Sequence, residues 1–380
     1  MINGVIFLDL KKAFDTVNHD ILISKLARFG FDANSRDWFS SFLTDRSQHC
    51  FVNGCLSKRQ PLSCGVPQGT VLGPILFLIF INDLPNCLHH STPRLYADDT
   101  SLTFSDCTVQ TLERQMELDL SLILDWLRAN KLTLNTLKSE YMVIGSRQRL
   151  NALDVDSLDL SINGTPLNRT DKVKCLGVHI DQHLTWDSHV AHITKKVVNN
   201  LSVLKKIKPF LNRECLLRVF YTTVNPYFEY CSLVWDGIDQ KRADKLQKLH
   251  NRAARIITSA PYTEVRTRDV FRDLNWKPLR VSRLQSKAVM MFKIVNGLAP
   301  PYLVDLFQKE VGSNHYSLRN SYKNLQLPKV RGDHLKQSFA YTGAKLWNSL
   351  PKSLKEEQSL HAFKSKIKNY NFCVDNISYN

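Results

Sequence analysis

The sequence predicts an α+β fold: a sheet with helices on one face, followed by a mainly helical half. Three observations predict it. Over the first 180 positions the apolar period alternates between strand-like and helix-like runs; from about Asp187 it stays helical; and the charge balance changes at the same place. Residues 1–100 hold 9 Lys and Arg against 9 Asp and Glu, residues 101–180 hold 9 against 10, and residues 181–380 hold 33 against 16. The formal charge of +16 therefore belongs to the second half, which suits a polyanionic partner, while the first half carries clustered carboxylates. With 43% hydrophobic residues the chain is globular and has material for a sizeable core.

The elements follow in order. Val5-Ile6-Phe7-Leu8-Asp9-Leu10 is a nearly continuous apolar run, the pattern of a strand buried on both faces, with Asp9 inside it. Asn18, His19 and Asp20 offer caps to a helix through residues 21–26 that Gly30 closes. A second helix follows the loop Gly65-Val66-Pro67-Gln68-Gly69, opened by Pro74 and closed before Pro85. Residues 94–97 and 100–104 are strand-like on either side of Asp98-Asp99, which makes a hairpin. Leu112, Met116, Leu120, Ile123 and Leu127 recur at spacings of three and four and predict an amphipathic helix. Residues 132–134 and 141–144 return to strand character. Beyond Asp187, Val190, Ile193, Val197, Leu201 and Leu204 form one helical stripe. Boundaries are expected near 180–187, where composition and charge both shift, and in the 260–300 region around Pro261 and the Gly297-Leu298-Ala299-Pro300-Pro301 break.

Nine cysteines lie scattered without the framed spacing of a secreted disulfide scaffold, which points to a reducing compartment. The N-terminal residues lack a basic segment and run straight into a strand, unlike a signal peptide. The longest apolar run, Val71 to Ile81, is too short for a bilayer and contains Gly73 and Pro74. The expected location is intracellular, in cytoplasm or nucleus, neither secreted nor transmembrane. A membrane surface competes with nucleic acid as partner of the basic half, and nucleic acid is the reading adopted. His179, His183, His189 and His192 with Cys175 fit no standard zinc spacing.

An ionised carboxylate within an apolar strand costs several kcal/mol unless a partner or metal compensates it, so Asp9 needs an explanation. Two adjacent Asp at a hairpin tip can be turn chemistry alone. If the strand bearing Asp9 lies beside the hairpin, however, Asp9, Asp98 and Asp99 converge, and such a cluster repels itself unless divalent cations are bound. Two Mg²⁺, or Mn²⁺, about 3.5–4 Å apart are the usual solution and imply nucleotidyl transfer.

Three strings carry a family resemblance. Phe7-Leu8-Asp9-Leu10-Lys11-Lys12-Ala13-Phe14-Asp15-Thr16-Val17, Gly65-Val66-Pro67-Gln68-Gly69-Thr70-Val71-Leu72-Gly73-Pro74 and Tyr96-Ala97-Asp98-Asp99 resemble motifs A, B and C of reverse transcriptases. They are most similar to non-LTR (LINE-type) retrotransposons of the jockey and chicken-repeat groups. The resemblance implies a right-hand polymerase palm over residues 1–182, a helical thumb over 183–260 and a basic, mainly helical C-terminal extension over 261–380. It implies that Asp9, Asp98 and Asp99 hold the metals and that Phe14 is the steric gate against a ribonucleotide 2′-hydroxyl. It further implies that Gly65, Pro67, Gln68, Gly69 and Tyr96 surround the nucleotide and template. Residues 132–140 resemble motif D, which gives Lys138 the pyrophosphate. Residues 175–180 with Leu184, Thr185, Trp186 and His189 resemble motif E, the primer grip. Asp15 reads as a loop-fixing residue and not as a metal ligand. The partners implied are an RNA template, a DNA primer and deoxynucleoside triphosphates, with Lys195, Lys196, Lys205, Lys206 and Lys208 as a basic face for the nucleic acid.

A complete enzyme of this kind has fingers before motif A and an upstream endonuclease, so an N-terminally truncated copy that polymerises poorly alone is expected. The alternative is a nucleic-acid-binding remnant without catalysis. A group II intron maturase shares the catalytic motifs, but the segment Trp347-Asn348-Ser349-Leu350-Pro351 and the wording of motif A favour the retrotransposon.

Overall fold

The structure, a computed structural model, describes residues 2–153, 155, 158–307, 324–329 and 332–372, with the side chains of 333 and 334 left aside. Cys373, one of the nine cysteines, lies outside the described residues. The chain divides into two compact units, Met1–Leu184 and Thr185–Asn380.

The first unit is built on strand β1 (Ile2–Leu8), followed by helices α1 (His19–Arg28) and α2 (Ala33–Leu43). Asn18 caps α1 by accepting from the Ile21 N–H, and Asp32 caps α2 through Ser35. Four two-residue strands, β2 (Ser47–Gln48), β3 (Phe51–Val52), β4 (Cys55–Leu56) and β5 (Gln60–Pro61), pair as β2 with β5 and β3 with β4. Helix α3 (Leu72–Ile81) starts two residues before Pro74, leaving the proline in its first turn where no N–H is needed. Strands β6 (Thr92–Tyr96) and β7 (Asp99–Asp106) form the hairpin, and α4 (Val109–Ala129), capped by Thr108, buries every member of its predicted stripe. Strand β8 (Glu140–Ile144), helix α5 (Arg147–Ala152) and short strands β9 (Ser161–Ile162), β10 (Thr165–Pro166) and β11 (Asn168–Arg169) follow. A second hairpin of β12 (Lys172–Cys175) and β13 (Val178–Asp181) ends the unit.

The sheet runs β11-β8-β1-β7-β6. Its pairs are antiparallel except β11 with β8, so an antiparallel sheet carries one parallel edge strand. One face packs on α1, α3 and α4 in a single core that includes Ile6, Leu22, Phe77, Phe104 and Met116. Helix α4 approaches so closely at Gly4 that a Cβ there would lie 2.7 Å from the Met116 sulfur. The prediction of a strand buried on both faces holds only in part. Side chains alternate along a strand, and on the other face Val5 is buried while Asn3 and Phe7 stay half-buried. Residues 132–134 supply only a bridge between Leu134 and Leu10 and form no strand.

The second unit is mainly helical over its described residues. It begins with α6 (Asp187–Ile207), whose stripe Val190, Ile193, Val197, Leu201 and Leu204 is buried, then α7 (Arg213–Thr223), α8 (Asn225–Glu229) and α9 (Gln240–Thr258). Helices α10 (Thr267–Leu274), α11 (Leu279–Val295) and α12 (Pro301–Val304) precede α13 (Asp333–Gln337), α14 (Phe339–Ser349), α15 (Lys352–Lys355) and α16 (Leu360–Asn369). Two aromatic centres organise it. Trp347 and Phe292 pack with Phe363 between α11, α14 and α16, while His250 lies flat on Trp276, ringed by Phe220, Phe228 and Phe271. Among the described residues no helix is long and apolar enough to cross a membrane.

Candidate active site

Strand register sets the carboxylates in place. Leu8 of β1 pairs with Thr100 of β7, so one further step along both strands sets Asp9 opposite Asp99. By alternation both share the face of Phe7 and Ser101, away from the helices. Asp9 thus follows the end of β1 and does not sit within it, which relieves the desolvation cost expected of a mid-strand carboxylate. Tyr96 pairs with Asp99 across a two-residue turn, and Ala97 takes a left-handed φ of 52° to make it. A non-glycine residue in that conformation is strained, and here the strain presents the two aspartates.

On this open face a cavity of about 320 Å³ is lined by Asp9, Asp99, Tyr96, Lys138, Glu140 and Arg94, and by residues 173–176 at the turn of the β12–β13 hairpin. Asp98, at the turn itself, does not line it. Loss of surrounding water, then the negative charges of Asp98 and Asp9, push the Asp99 carboxyl above its ordinary range. Burial and then the Asp99 charge push the Cys175 thiol up, so it stays protonated. Burial likewise raises Glu140.

Among the described residues no three or more His, Cys, Asp or Glu side chains form a ready-made metal cage. The donor set nevertheless fits a hard cation: carboxylates whose charges reach one another suit Mg²⁺, which is commonly held by one or two carboxylates with phosphate and water completing the shell.

The model of the reverse transcriptase (RNA-dependent DNA polymerase) family matches residues 2–180. Those residues belong to the reverse transcriptase family. The chain is 31% identical, over 285 residues, to the probable RNA-directed DNA polymerase from transposon BS of Drosophila melanogaster. It is 28% identical, over 280 residues, to the RNA-directed DNA polymerase from mobile element jockey of the same organism. The alignments cover 72% and 70% of this chain and 30% of each relative, so the chain spans about a third of their length. A solved telomerase from Candida tropicalis, in complex with a fragment of telomeric RNA, matches 72% of this chain and 49% of its own at 12% identity and a TM-score of 0.35. The jockey-like resemblance read from the motifs agrees with the curated relatives.

Within this reverse transcriptase domain the motif B loop is zipped to the segment after β1. The Gly65 N–H donates to the Val17 carbonyl at 2.7 Å and the Val66 N–H to the Phe14 carbonyl at 2.8 Å. Gly65, at a φ of 91°, sits where a Cβ would come within 2.8 Å of the Asp15 carbonyl oxygen, so both conformation and space require glycine. The Gln68 amide donates to the Asp15 carboxylate at 2.8 Å, and Asp15 accordingly holds the loop. Phe14 is half-buried and stacks on Phe77 of α3 with ring centroids 4.4 Å apart. Phe14, Gly65 and Gln68 are tied together here, with Pro67 and Gly69 in the same loop, but none of the five lines the carboxylate cavity. In the second unit Lys195, Lys196, Lys205 and Lys206 are exposed on α6, and Lys208 just after it is half-buried.

Two residues of the motif D string to which the sequence reading assigns no role hold Asp9. Asn135 donates from its amide to Asp9 Oδ2 at 2.8 Å, and its backbone N–H donates to the Asp9 carbonyl at 2.7 Å. The Asp9 N–H donates to Ser139 Oγ at 3.1 Å, and that hydroxyl donates to the Asn135 carbonyl. The only sequence signal was a pair of small polar residues four apart within the motif D string. Asp119, fully buried on α4, was also missed: it accepts the N–H groups of His89, His90 and Ser91 and so fixes the entry to β6.

Proposed function

We propose that this chain supplies the palm and thumb of an RNA-directed DNA polymerase, transferring deoxynucleotides to a DNA primer on an RNA template. The observation that carries the reading is the register that puts Asp9 beside Asp99 on the open face of the sheet, with Lys138 on the same cavity wall. When bound, two Mg²⁺, or Mn²⁺, lower the pKa of the primer 3′-hydroxyl and stabilise charge on the triphosphate. In this reading Asp9, Asp98 and Asp99 provide the carboxylate oxygens for those ions. Asn135 and Ser139 keep the Asp9 carboxylate turned to the cavity. Lys138 neutralises the departing pyrophosphate, and Tyr96 borders the primer end. Phe14, backed by Phe77, closes the space a ribonucleotide 2′-hydroxyl would need, while Gln68, oriented by Asp15, faces the base pair. The lysines of α6 follow the phosphate backbone, so binding should weaken with salt. Residues 1–182, 183–260 and 261–380 take the parts of palm, thumb and extension. Retention of all three carboxylates favours catalysis over a purely nucleic-acid-binding remnant.

Mn²⁺ titration followed by electron paramagnetic resonance, paired with RNA-templated primer extension, tests the proposal. The wild-type chain should bind Mn²⁺ more tightly when a deoxynucleoside triphosphate is present, and Asp9→Asn and Asp99→Asn should lose that coupling. Equal Mn²⁺ binding by wild type and both variants would refute it.

A further inference from the structure

The motif B loop begins at a residue that does not fix its own conformation. Gly65 has no side chain to restrict it, and glycine takes several backbone conformations readily, so the peptide joining Gly65 to Val66 has to be oriented from outside. Two groups orient it. The polar ends of this planar peptide point in opposite directions. On one side the Val66 N–H donates to the Phe14 carbonyl at 2.8 Å; on the other the Gly65 carbonyl lies 2.8 Å from His19 Nε2. A carbonyl only accepts, so the bond is made with the imidazole proton on Nε2. His19 is well placed to hold still. It is half-buried and opens α1 directly after the N-cap Asn18, whose backbone bridges to Cys64. Val17 and Val66, beside this contact, both belong to the core. The far end of the loop is anchored separately: the Thr70 hydroxyl donates to the Pro67 carbonyl at 2.8 Å and accepts from the Gly73 N–H at 3.1 Å. His19 thus serves the near end, next to Phe14.

We infer that His19 is a positioning residue: it locks the Gly65–Val66 peptide and, through the Val66 N–H, keeps the Phe14 backbone in register with the loop that carries Gln68. A turn of that peptide forfeits both bonds at once, so the His19 contact also protects the one made by Phe14. Without it Phe14 keeps its ring contact with Phe77 but loses a fixed backbone. Excluding one hydroxyl by bulk depends on where the ring stands, so a loosened Phe14 discriminates less between sugars. The lock stands on its own geometry; its consequence for nucleotide choice rests on the reading of Phe14 as the gate.

Hydrogen exchange of the full chain read by mass spectrometry, paired with binding of dATP and ATP in the presence of Mn²⁺, provides the test. His19→Phe keeps an aromatic ring and removes the donor, whereas His19→Gln returns an amide N–H to the place of Nε2. His19→Ala takes over if His19→Phe does not fold. In the donor-free variant the segment 64–70 should exchange roughly fivefold faster than in wild type, the factor expected of one net hydrogen bond, while α4 keeps its protection. The preference for dATP over ATP should fall by a similar factor, and His19→Gln should restore both. Unchanged exchange over 64–70 in the donor-free variants overturns the inference, and so does a loss of protection that reaches α4 equally, which would make His19 a general support of the first unit. Faster local exchange with the dATP preference intact overturns the link to nucleotide choice. A wild-type chain that binds neither nucleotide counts against the polymerase reading and not against the lock, which the exchange comparison decides by itself.

Discussion

In the first unit, buried charges are fully engaged. Asp119 accepts three backbone N–H groups, and Lys25 is held by Asp83 at 2.7 Å, by the Phe80 carbonyl at 2.6 Å and by the faces of Phe80 and Trp126. The carboxylates proposed for catalysis stand instead at strand ends, where solvent and a cation can reach them. The second unit is mixed: Lys287, Lys355 and Arg255 are buried and held by acceptors, whereas His250 Nδ1 and the Nε and Nη2 of Arg283 are buried with no hydrogen-bond partner. The difference teaches that a buried charge with all its partners marks scaffold, while a charge short of partners marks either stored cost or a place for a ligand. Each prediction below tests one side of that contrast.

The largest effect belongs to the open carboxylates. Asp9→Asn or Asp99→Asn should each lower RNA-templated extension roughly 10³-fold, since metal stabilisation of the transition state amounts to several kcal/mol. Asp99→Asn should also unfold at equal or higher urea, because it removes a charge that Asp98 and Asp9 repel. A variant that lost activity and stability together would place Asp99 in the scaffold instead.

Next in size is Asp119→Ala, which removes the fully buried acceptor shared by the part-buried N–H groups of residues 89–91. It should cost roughly 3 kcal/mol in urea unfolding of the first unit. A loss under about 1 kcal/mol would show that water replaces the carboxylate there and that the entry to β6 is not held as described.

The second unit should respond to pH through His250. Burial among aromatic rings lowers its pKa from 6.5 to about 3, so it is neutral when folded and takes up a proton on unfolding. Its contribution is therefore complete above 6.5 and is lost as pH falls from there toward about 3. At pH 5 the loss should be roughly 2 kcal/mol. His250→Phe should flatten that slope in chemical unfolding followed by tryptophan fluorescence; an unchanged slope would assign the pH dependence elsewhere.

How much was legible follows from these particulars. The stripes of α4 and α6 and the β6–β7 hairpin were readable because their periods are local. The end of β1 was not, because an apolar run does not record which strand neighbour stops pairing; only the register puts Asp9 just past it. Helix α2 gave no amphipathic stripe to read: Trp38 is exposed and stacks on Phe42 along the helix surface. The motif strings contain Asp9, Tyr96, Asp99, Lys138 and Glu140, all of which line one cavity, whereas Arg94 joins them only through sheet pairing. Arg283 and His250 read as one more basic residue and one more histidine in a basic helical half. Their meaning comes from burial, which composition does not reveal.

Asn135 provides the finest test, because it separates holding a catalytic group from being one. Its side chain touches Asp9 Oδ2 while its backbone N–H serves the Asp9 carbonyl, so Asn135→Ala deletes the first contact and keeps the second. Outer contacts of this kind set the orientation and basicity of a metal ligand, and their loss typically costs 10–100-fold in metal affinity. Since Ser139 still anchors the Asp9 N–H, the lower end of that range, about tenfold, is expected here. The variant should therefore need about tenfold more Mg²⁺ for half-maximal extension and recover most of the rate when Mg²⁺ is saturating. A rate that stays low at saturating Mg²⁺ would mean that Asn135 shapes the turn after β1 as a whole. In that case the Asp9 position would depend on the backbone bond, and the side-chain contact would be incidental.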